Sequence, residues 1–371
     1  MTYFDNAATG GKKPDSVLSA VAAAIKTCAN PGRGGHKLAL AHARLVQDCR
    51  NELLAYFDGY DFDRVIFTKN CSEALNLAIF GVLNRGDHVI ASCMEHNSVL
   101  RPLEFLKKNG VIDYDICPLN AEGNISPDDV KKRLRPNTRL AAITSASNVT
   151  GAIPPIKEIR KILPESVLLL CDGAQGGGHI PIKMRGAGID LLTFAGHKGM
   201  LGIQGSGGLL FSPRVAPRPL LFGGTGSLSV SLDMPDFYPD ALEAGTLSFP
   251  AILSLLEGVR YLSTYENSMR EKTVALTARF LKGLKSFPKY KTYSSVNPCG
   301  IVAFSRADMQ SEEVADRLSE QFDIAVRGGL HCAPLMHEAL GTADGGLVRA
   351  SFSAFNTERE IDRFLHALTI L

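Results

Sequence analysis

The sequence predicts a doubly wound α/β fold that is followed by a smaller α+β domain. Three observations support this prediction. Short apolar runs alternate with amphipathic helical stretches along much of the chain, as strands and helices do in an open α/β sheet. The apolar runs are continuous and end in Gly-rich turns, which is typical of strands buried in a parallel sheet. Beyond a long helical stretch that starts near Pro250, strands and helices alternate in a different pattern.

We divide the chain into three parts on this basis. Residues 1–14 are predicted to form an N-terminal segment, residues 15–255 the large α/β domain and residues 256–371 the small C-terminal α+β domain. A chain of 371 residues is long enough to bury a sizeable core in a large domain and to form a second, smaller domain.

The individual elements follow from apolar periodicity and from turn residues. Pro14 opens a helix that extends to about Cys28, a Pro- and Gly-rich loop covers residues 30–36, and an amphipathic helix covers Leu38–Phe57. Strands are predicted at residues 65–68, 88–92, 111–117, 140–146, 167–171, 191–194, 207–211, 301–304, 324–327 and 347–352. Further helices are predicted at residues 97–108, 127–134, 156–163, 311–321 and 357–371, with the long one from Pro250.

Composition excludes several classes of partner. Lys and Arg number 40 against 38 Asp and Glu, which argues against nucleic acid or a membrane surface as the main partner. The chain begins MTYFDNAATGG without a basic leader, and no apolar run approaches the length of a membrane span. The 8 cysteines form no C-x-x-C pair and lie mostly in apolar stretches. We therefore expect reduced thiols, no metal site and a cytoplasmic location.

Two charged residues, Asp172 and Lys198, stand at or just beyond the ends of apolar runs that read as buried strands. Asp172 comes after the apolar run at residues 167–171, and Lys198 comes shortly after the run at residues 191–194. Ligands of open α/β sheets bind beyond the carboxyl ends of the strands, so both side chains are expected to face the crevice. A lysine amine can form a Schiff base with a carbonyl cofactor, and a carboxylate can pair with a protonated pyridine nitrogen. The pair favours pyridoxal phosphate (PLP), although either residue alone would be read as a helix cap or a solvated charge.

A second signal concerns an anion. The strand at residues 65–68 leads through a polar loop into a helix that starts near Ser72. Backbone amides at a helix N-terminus, together with the Ser72 hydroxyl, suit a phosphate group, and the simpler interpretation is an ordinary N-cap. No G-x-G-x-x-G follows a strand, which disfavours a dinucleotide enzyme.

Several motifs resemble those of the class V aminotransferase superfamily, and within it the group II cysteine desulfurases and the selenocysteine lyases. The resemblance spans nearly the whole chain. The matching motifs are Phe4-Asp5-Asn6-Ala7-Ala8-Thr9, Glu95-His96-Asn97, Asp172-Gly173-Ala174-Gln175, Phe194-Ala195-Gly196-His197-Lys198, Glu243-Ala244-Gly245-Thr246, Arg327-Gly328-Gly329-Leu330-His331-Cys332-Ala333-Pro334 and Arg349-Ala350-Ser351-Phe352. It implies a PLP-dependent enzyme of fold type I, with a mainly parallel mixed sheet in the PLP-binding large domain and the cysteine loop in the small domain.

The resemblance also implies how the cofactor is held. Lys198 would form the Schiff base, Asp172 would pair with the pyridinium nitrogen, and Gln175 would bond the phenolic oxygen. His96 would stack on the ring and shuttle protons. Asn148 would lie near the cofactor oxygen and would also contact substrate.

For the phosphate, the resemblance implies three contacts from this chain: Ser72, His197 and the backbone of Cys71. Thr246 would reach the phosphate from a second subunit, which implies an obligate homodimer. Relatives usually carry Ser or Thr where this chain has Ala195, and losing such a charge-assisted hydrogen bond could cost roughly 1.5–3 kcal/mol of cofactor binding. Cys71 likewise stands where Thr is common.

For the substrate, the resemblance implies that Arg349 clamps the carboxylate of L-cysteine and that Cys332 attacks the substrate sulfur. This step would leave a persulfide on Cys332 and release alanine. Neighbouring Arg327 and His331 could lower the pKa of the thiol, and Arg327 would also contact substrate. His36 and Arg33 are expected to border the pocket.

The expected function is therefore that of a PLP-dependent cysteine desulfurase that passes sulfur to an acceptor protein. Three alternatives stay open at this point. A selenocysteine lyase would use the same residues on L-selenocysteine, and another aminotransferase or C–S lyase of the superfamily would not need Cys332. A non-catalytic scaffold is disfavoured because Lys198, Asp172, Gln175, His96 and Arg349 occur together.

Overall fold

A computed structural model describes residues 1–27, 29–32 and 34–371. Cys28 and Arg33 lie outside the described residues, and with them the expected pocket contact of Arg33. The strands are β1 (Thr2–Tyr3), β2 (Val65–Thr68), β3 (Asp87–Ser92), β4 (Ile112–Cys117), β5 (Thr138–Thr144), β6 (Leu168–Asp172), β7 (Leu191–Ala195), β8 (Gly207–Phe211), β9 (Tyr290–Thr292), β10 (Ile301–Arg306), β11 (Ile324–Ala325) and β12 (Val348–Ser351). The α-helices are α1 (Asp15–Lys26), α2 (Lys37–Phe57), α3 (Cys71–Val82), α4 (Asn97–Lys108), α5 (Pro127–Lys132), α6 (Ile156–Ile162), α7 (Met184–Ala187), α8 (Phe249–Leu284), α9 (Ser311–Phe322), α10 (Pro334–Leu340) and α11 (Glu358–Ile370).

The central sheet of the described chain has 7 strands in the order β2-β8-β7-β6-β5-β3-β4. All neighbours pair in parallel except β8, which runs antiparallel to both β7 and β2. Strands β6, β7 and β8 are buried along their whole length, which explains their continuous apolar sequences. The predicted α/β class with a mainly parallel mixed sheet is confirmed.

Strand register brings the candidate residues to one edge of this sheet. Thr144 pairs with Asp172, and Asp172 pairs with Thr193, so β5 and β6 end at the same level and β7 continues to Ala195. The segment that follows β7 carries Lys198. The two residues singled out in the sequence therefore lie beside each other at the carboxyl edge.

The smaller sheet consists of the antiparallel strands β12, β10 and β9. Its core is aromatic and includes Phe4, Phe280, Phe304, Phe352 and Phe364, all fully buried. Helix α8 runs through the boundary predicted at residue 255. Its first half packs in the core of the large sheet, and its last turns pack in this aromatic core. The boundaries at residues 14 and 255 remain a proposal.

The N-terminal segment pairs with the C-terminal part of the chain. Strand β1 pairs in parallel with β11, with Thr2 opposite Ile324, and Asp5 bridges to Ser351. The sequence did not predict these pairings, nor strand β9 or helix α10. The strand predicted at residues 324–327 is shorter in the structure, because Arg327 instead forms an isolated bridge with Arg349. In the described ranges, no helix combines the length and apolarity that crossing a membrane requires.

Candidate active site

A cavity of about 230 Å³ lies at the carboxyl edge of the central sheet. Most of the predicted site residues line it: Cys71, Ser72, His96, Asn148, Asp172, Gln175, His197, Lys198, Arg327 and Arg349. Cys332, Thr246 and His36 do not line it. The structure therefore assembles most of the predicted set around one cavity, and the remaining residues are described below.

The cavity pairs the half-buried Lys198 with the buried carboxylate of Asp172. Burial lowers the pKa of Lys198, and nearby Asp172 acts in the opposite direction. Asp172 Oδ1 accepts the backbone N–H of Ala174 at 2.9 Å, and no conventional donor of the described residues reaches Oδ2. The Cys71 thiol lies 3.5 Å from Asp172 Oδ1, and burial together with this carboxylate raises its pKa. The arrangement offers a Schiff-base amine and an oxygen that can accept from a pyridinium N–H.

His96 and Gln175 occupy the walls. His96 caps helix α4, because its Nδ1 accepts the backbone N–H of Ser98 at 3.0 Å. Burial, and then the charge of Lys198, lowers the pKa of His96 to about 4, so the imidazole is neutral near pH 7. Gln175 Nε2 donates to the backbone oxygen of Ala7 at 3.0 Å, which fixes the amide plane. A neutral imidazole can accept a proton, as the expected shuttling role requires.

Two helix N-termini meet at one end of the cavity. Helix α3 starts at Cys71 and α4 starts at Asn97, and the hydroxyls of Ser72 and Ser98 are 2.6 Å apart. Ser98 lines the cavity although the sequence analysis did not select it, and its place just after His96 at a helix start was the available signal. The Ser72 and Ser98 hydroxyls and the first backbone amides of α3 suit an anion at this end, whereas the Asn97 and Ser98 amides of α4 already donate to Cys332 O and to His96 Nδ1. Both Ser98 and Ala195 line the cavity, and Ser98 supplies a hydroxyl group that Ala195 lacks.

Arg349, the residue expected to bind the substrate carboxylate, already donates hydrogen bonds within the protein. Arg349 is 1% exposed, and its two terminal nitrogens donate to Asn148 O and to Asp5 Oδ1, each at 2.9 Å. The third nitrogen, Nε, is buried without a partner, as is Asn148 Oδ1. Arg349 therefore does not present a free fork: its terminal nitrogens would have to share a substrate carboxylate with these partners. Asp5 was not selected from the sequence, although it lies in the opening motif.

Cys332 lies at the surface beside this cavity, in a loop that is anchored to the cavity wall. Its backbone oxygen accepts the N–H of Asn97 at 2.8 Å, and the oxygen of His331 accepts Asn148 Nδ2 at 2.7 Å. Both loop residues adopt the left-handed region, with φ of 51° at His331 and 57° at Cys332. Such backbone is costly for residues other than glycine and is held here by these contacts.

The expected electrostatic help from His331 is not supported. Its ring is 3% exposed, its Nε2 contacts the backbone oxygen of Leu347 at 3.0 Å, and burial followed by the charge of Arg349 lowers its pKa to about 2. A neutral His331 provides no positive charge beside Cys332. Arg327, which lines the cavity, remains the charged neighbour named by the sequence analysis.

Thr246 and His36 lie elsewhere on this chain. The Thr246 hydroxyl accepts from Asn30 Nδ2 at 3.3 Å and lines a separate cavity of about 140 Å³. His36 is exposed, and its Nδ1 caps helix α2 by accepting the N–H of Ala39 at 3.3 Å. Their cofactor and substrate roles stay predictions.

The sequence profile of the family described as "Aminotransferase class-V" matches residues 2–364. The chain belongs to this family. A probable cysteine desulfurase of Methanothermobacter thermautotrophicus is 34% identical over 370 residues, covering 97% of this chain and 92% of the relative. A cysteine desulfurase of Klebsiella pneumoniae is 29% identical over 381 residues, covering 99% and 92% of the two chains.

Solved structures agree with this class V assignment. A cysteine desulfurase from Thermococcus onnurineus superposes with a TM-score of 0.91 at 30% identity, covering 99% of this chain and 93% of the other. A cysteine desulfurase from Escherichia coli superposes with a TM-score of 0.90 at 26% identity, covering 99% and 94%. The predicted family and the fold type are confirmed.

Class V aminotransferases depend on PLP, and the residues of this cavity fit that cofactor. Asn148 Oδ1 and Arg349 Nε are buried polar atoms without partners, and both residues line the cavity. Unpaired buried groups of this kind are costly unless a ligand satisfies them. Lys198, Asp172, Gln175 and the hydroxyls of Ser72 and Ser98 would meet the aldehyde, the ring nitrogen, the phenolic oxygen and the phosphate of PLP respectively. Elsewhere, the described ranges contain no cluster of three or more His, Cys, Asp or Glu side chains that could hold a metal ion.

Proposed function

We propose that this protein is a PLP-dependent cysteine desulfurase that converts L-cysteine to L-alanine and carries the sulfur as a persulfide on Cys332. One observation supports the persulfide step above the others. Cys332 is exposed, and its loop is tied by hydrogen bonds to Asn97 and Asn148, both next to the cavity that contains Lys198. A thiol at this place can meet a substrate sulfur and then an acceptor.

The other described cysteines do not offer such a thiol. Cys49, Cys71, Cys93, Cys117, Cys171 and Cys299 are all buried, and burial is the main cause that raises the pKa of each. A thiolate is the reactive form, so these groups are poor nucleophiles near neutral pH. The comparison supports Cys332 as the residue that accepts sulfur.

Four side chains of the cavity have defined parts in this proposal, namely Lys198, Asp172, His96 and Arg349. When bound, PLP supplies an electron sink for cleavage at the carbon atoms of the amino-acid substrate. Lys198, whose pKa burial lowers, provides an amine that exchanges with the substrate amine and moves protons. Asp172 would hold the ring nitrogen, neutral His96 would contact the ring, and Arg349 would bind the substrate carboxylate. The Cys332 thiolate would attack the substrate sulfur, so that an S–S bond forms as the C–S bond breaks. The electron pair of the C–S bond stays with the carbon fragment, and protonation of that fragment gives alanine.

A homodimer completes the proposed site. Thr246 lies outside the cavity of its own chain, so it can contact cofactor phosphate only in a neighbouring subunit. The segment between β8 and α8 exposes several apolar side chains on the way to Thr246, namely Leu221, Phe222, Leu228, Val230 and Leu232. An exposed apolar set of this kind favours cover by another protein surface, and we assign that surface to a second copy. A cytoplasmic location and a sulfur-acceptor protein remain parts of the proposal.

The test uses purified holoprotein and the variant Cys332→Ala, with Cys117→Ala as the control that removes a buried thiol. We expect Cys332→Ala to keep the visible absorbance of bound PLP and to lose most alanine formation from L-cysteine. Full alanine formation by this variant would refute the persulfide role. Activity of the variant toward L-selenocysteine, but not L-cysteine, would favour a selenocysteine lyase, and formation of a keto acid would favour an aminotransferase.

A further inference from the structure

The N-terminal strap, defined here as residues 5–13, connects the small sheet with the cavity. It starts at Asp5, which pairs with Arg349, and Asn6 Nδ2 donates to the backbone oxygen of Ser351 at 2.8 Å. Further along, the backbone oxygen of Ala7 receives Gln175 Nε2. The strap thus contacts Arg349 and Gln175, which are proposed to bind substrate and cofactor, before it reaches the segment that carries His197 and Lys198.

Three donors of the strap converge on one backbone oxygen, that of His197. They are Gly10 N at 2.9 Å, Lys13 Nζ at 3.1 Å and Thr9 Oγ1 at 3.3 Å. A carbonyl oxygen has two lone pairs, and one of the three donors here is an ammonium group. This oxygen belongs to the peptide that joins His197 to Lys198, so the contacts fix the peptide from which the Lys198 side chain starts.

Lys13 differs from an ordinary surface lysine in its burial and in its lack of a carboxylate partner among the described residues. It is partly buried, and within the described ranges no Asp or Glu forms an ion pair with it. Burial alone lowers the pKa of Lys13 to about 8. Gly10 permits the approach, because a Cβ there would lie 2.9 Å from Lys13 Nζ and 3.1 Å from the backbone oxygen of Lys198. The partly buried ammonium of Lys13 therefore lies against the peptide that precedes Lys198, without a neutralising carboxylate among the described residues.

We propose that Lys13 is a positioning residue for the cofactor site. Its ammonium holds the peptide between His197 and Lys198, and thereby fixes the direction of the Lys198 side chain and the place of the His197 ring in the cavity wall. Lys13 does not line the cavity, so it acts through these residues. The inference rests on the proposed PLP-dependent function.

The experiment measures PLP binding to apoprotein by absorbance titration. Lys13→Met removes the donor and keeps most of the side-chain volume, Lys13→Arg restores a charged donor, and Lys12→Met removes the same charge from the exposed neighbouring lysine. Loss of one hydrogen bond from a charged group predicts about tenfold weaker PLP binding for Lys13→Met. Lys13→Arg should recover most of this loss, and Lys12→Met should bind like wild type. The visible band of bound PLP should also titrate at a different pH in Lys13→Met.

Several outcomes would overturn the proposal. The first is equal PLP affinity, and an equal titration of the visible PLP band, in Lys13→Met and Lys12→Met. The second is a lower unfolding temperature of the Lys13→Met apoprotein with unchanged PLP binding, because that result indicates a lysine with a purely structural role. If Lys13→Met does not fold, Lys13→Gln takes its place with the same criteria. Failure of wild type to bind PLP would instead refute the proposed function, and the Lys13 inference with it.

Discussion

Replacing Phe4 by alanine should destabilise the protein and loosen the strap that follows this residue. Phe4 is 0% exposed, with its ring centroid 5.1 Å from that of Phe352 in an edge-on arrangement and 5.3 Å from that of Phe364 in a stacked one. The surrounding side chains belong to the strands of the small sheet and to the helices packed on it, and they cannot fully fill the cavity that removal of the ring would leave. Removing a buried aromatic ring of this kind costs about 3–5 kcal/mol.

Thermal unfolding of the holoprotein measures the effect. Each kcal/mol shifts the midpoint of a domain of moderate size by roughly 2–4 °C, so a loss of about 3–5 kcal/mol in Phe4→Ala should lower it by roughly 6–20 °C. Phe62→Ala is the matched control, because it removes the same atoms from a ring that is 50% exposed and should leave the midpoint nearly unchanged. Since Asp5 follows Phe4 and pairs with Arg349, the KM for L-cysteine should also rise in Phe4→Ala.

Equal midpoints in Phe4→Ala and Phe62→Ala would refute the reasoning from burial. A lowered midpoint with unchanged KM and unchanged PLP affinity would show that Phe4 stabilises the small sheet without positioning the strap.

Two further predictions concern buried ionisable groups. Burial raises the pKa of Glu95 from 4.5 to about 8. As the pH rises between these two values, the unfolded state has released the Glu95 proton while the folded state still holds it. The free energy of unfolding of wild type should therefore fall by about 1.4 kcal/mol per pH unit over this range. Glu95→Gln should lack this dependence, and denaturant unfolding at pH 5, 6.5 and 8 would contradict the idea if the two curves stay parallel. In a second test, iodoacetamide should label Cys332 much faster than the buried thiols of the described chain, and peptide mapping that finds Cys171 or Cys299 labelled first would exclude the assignment.

The strand-end residues were predictable from sequence because their placement depends on local and repetitive features. Continuous apolar runs give buried parallel strands, and parallel strands of equal register must end at one edge, which brings Asp172 and Lys198 together. The helix N-terminus at Ser72 is a local signal of the same type, and the family motifs added the Cys332 loop.

Only the tertiary structure decided the contacts between distant parts of the chain. Strand β1 pairs with β11, Asp5 occupies part of the Arg349 guanidinium, and Lys13 meets the backbone oxygen of His197, although nothing in the local sequence of either partner requires the contact. Charge states also depended on the folded environment: His331 reads in sequence as a cation beside Cys332, yet burial keeps it neutral. Desolvation and long-range pairing arise only when separate segments pack, and the sequence therefore determined which groups are present while the packing determined what each can do.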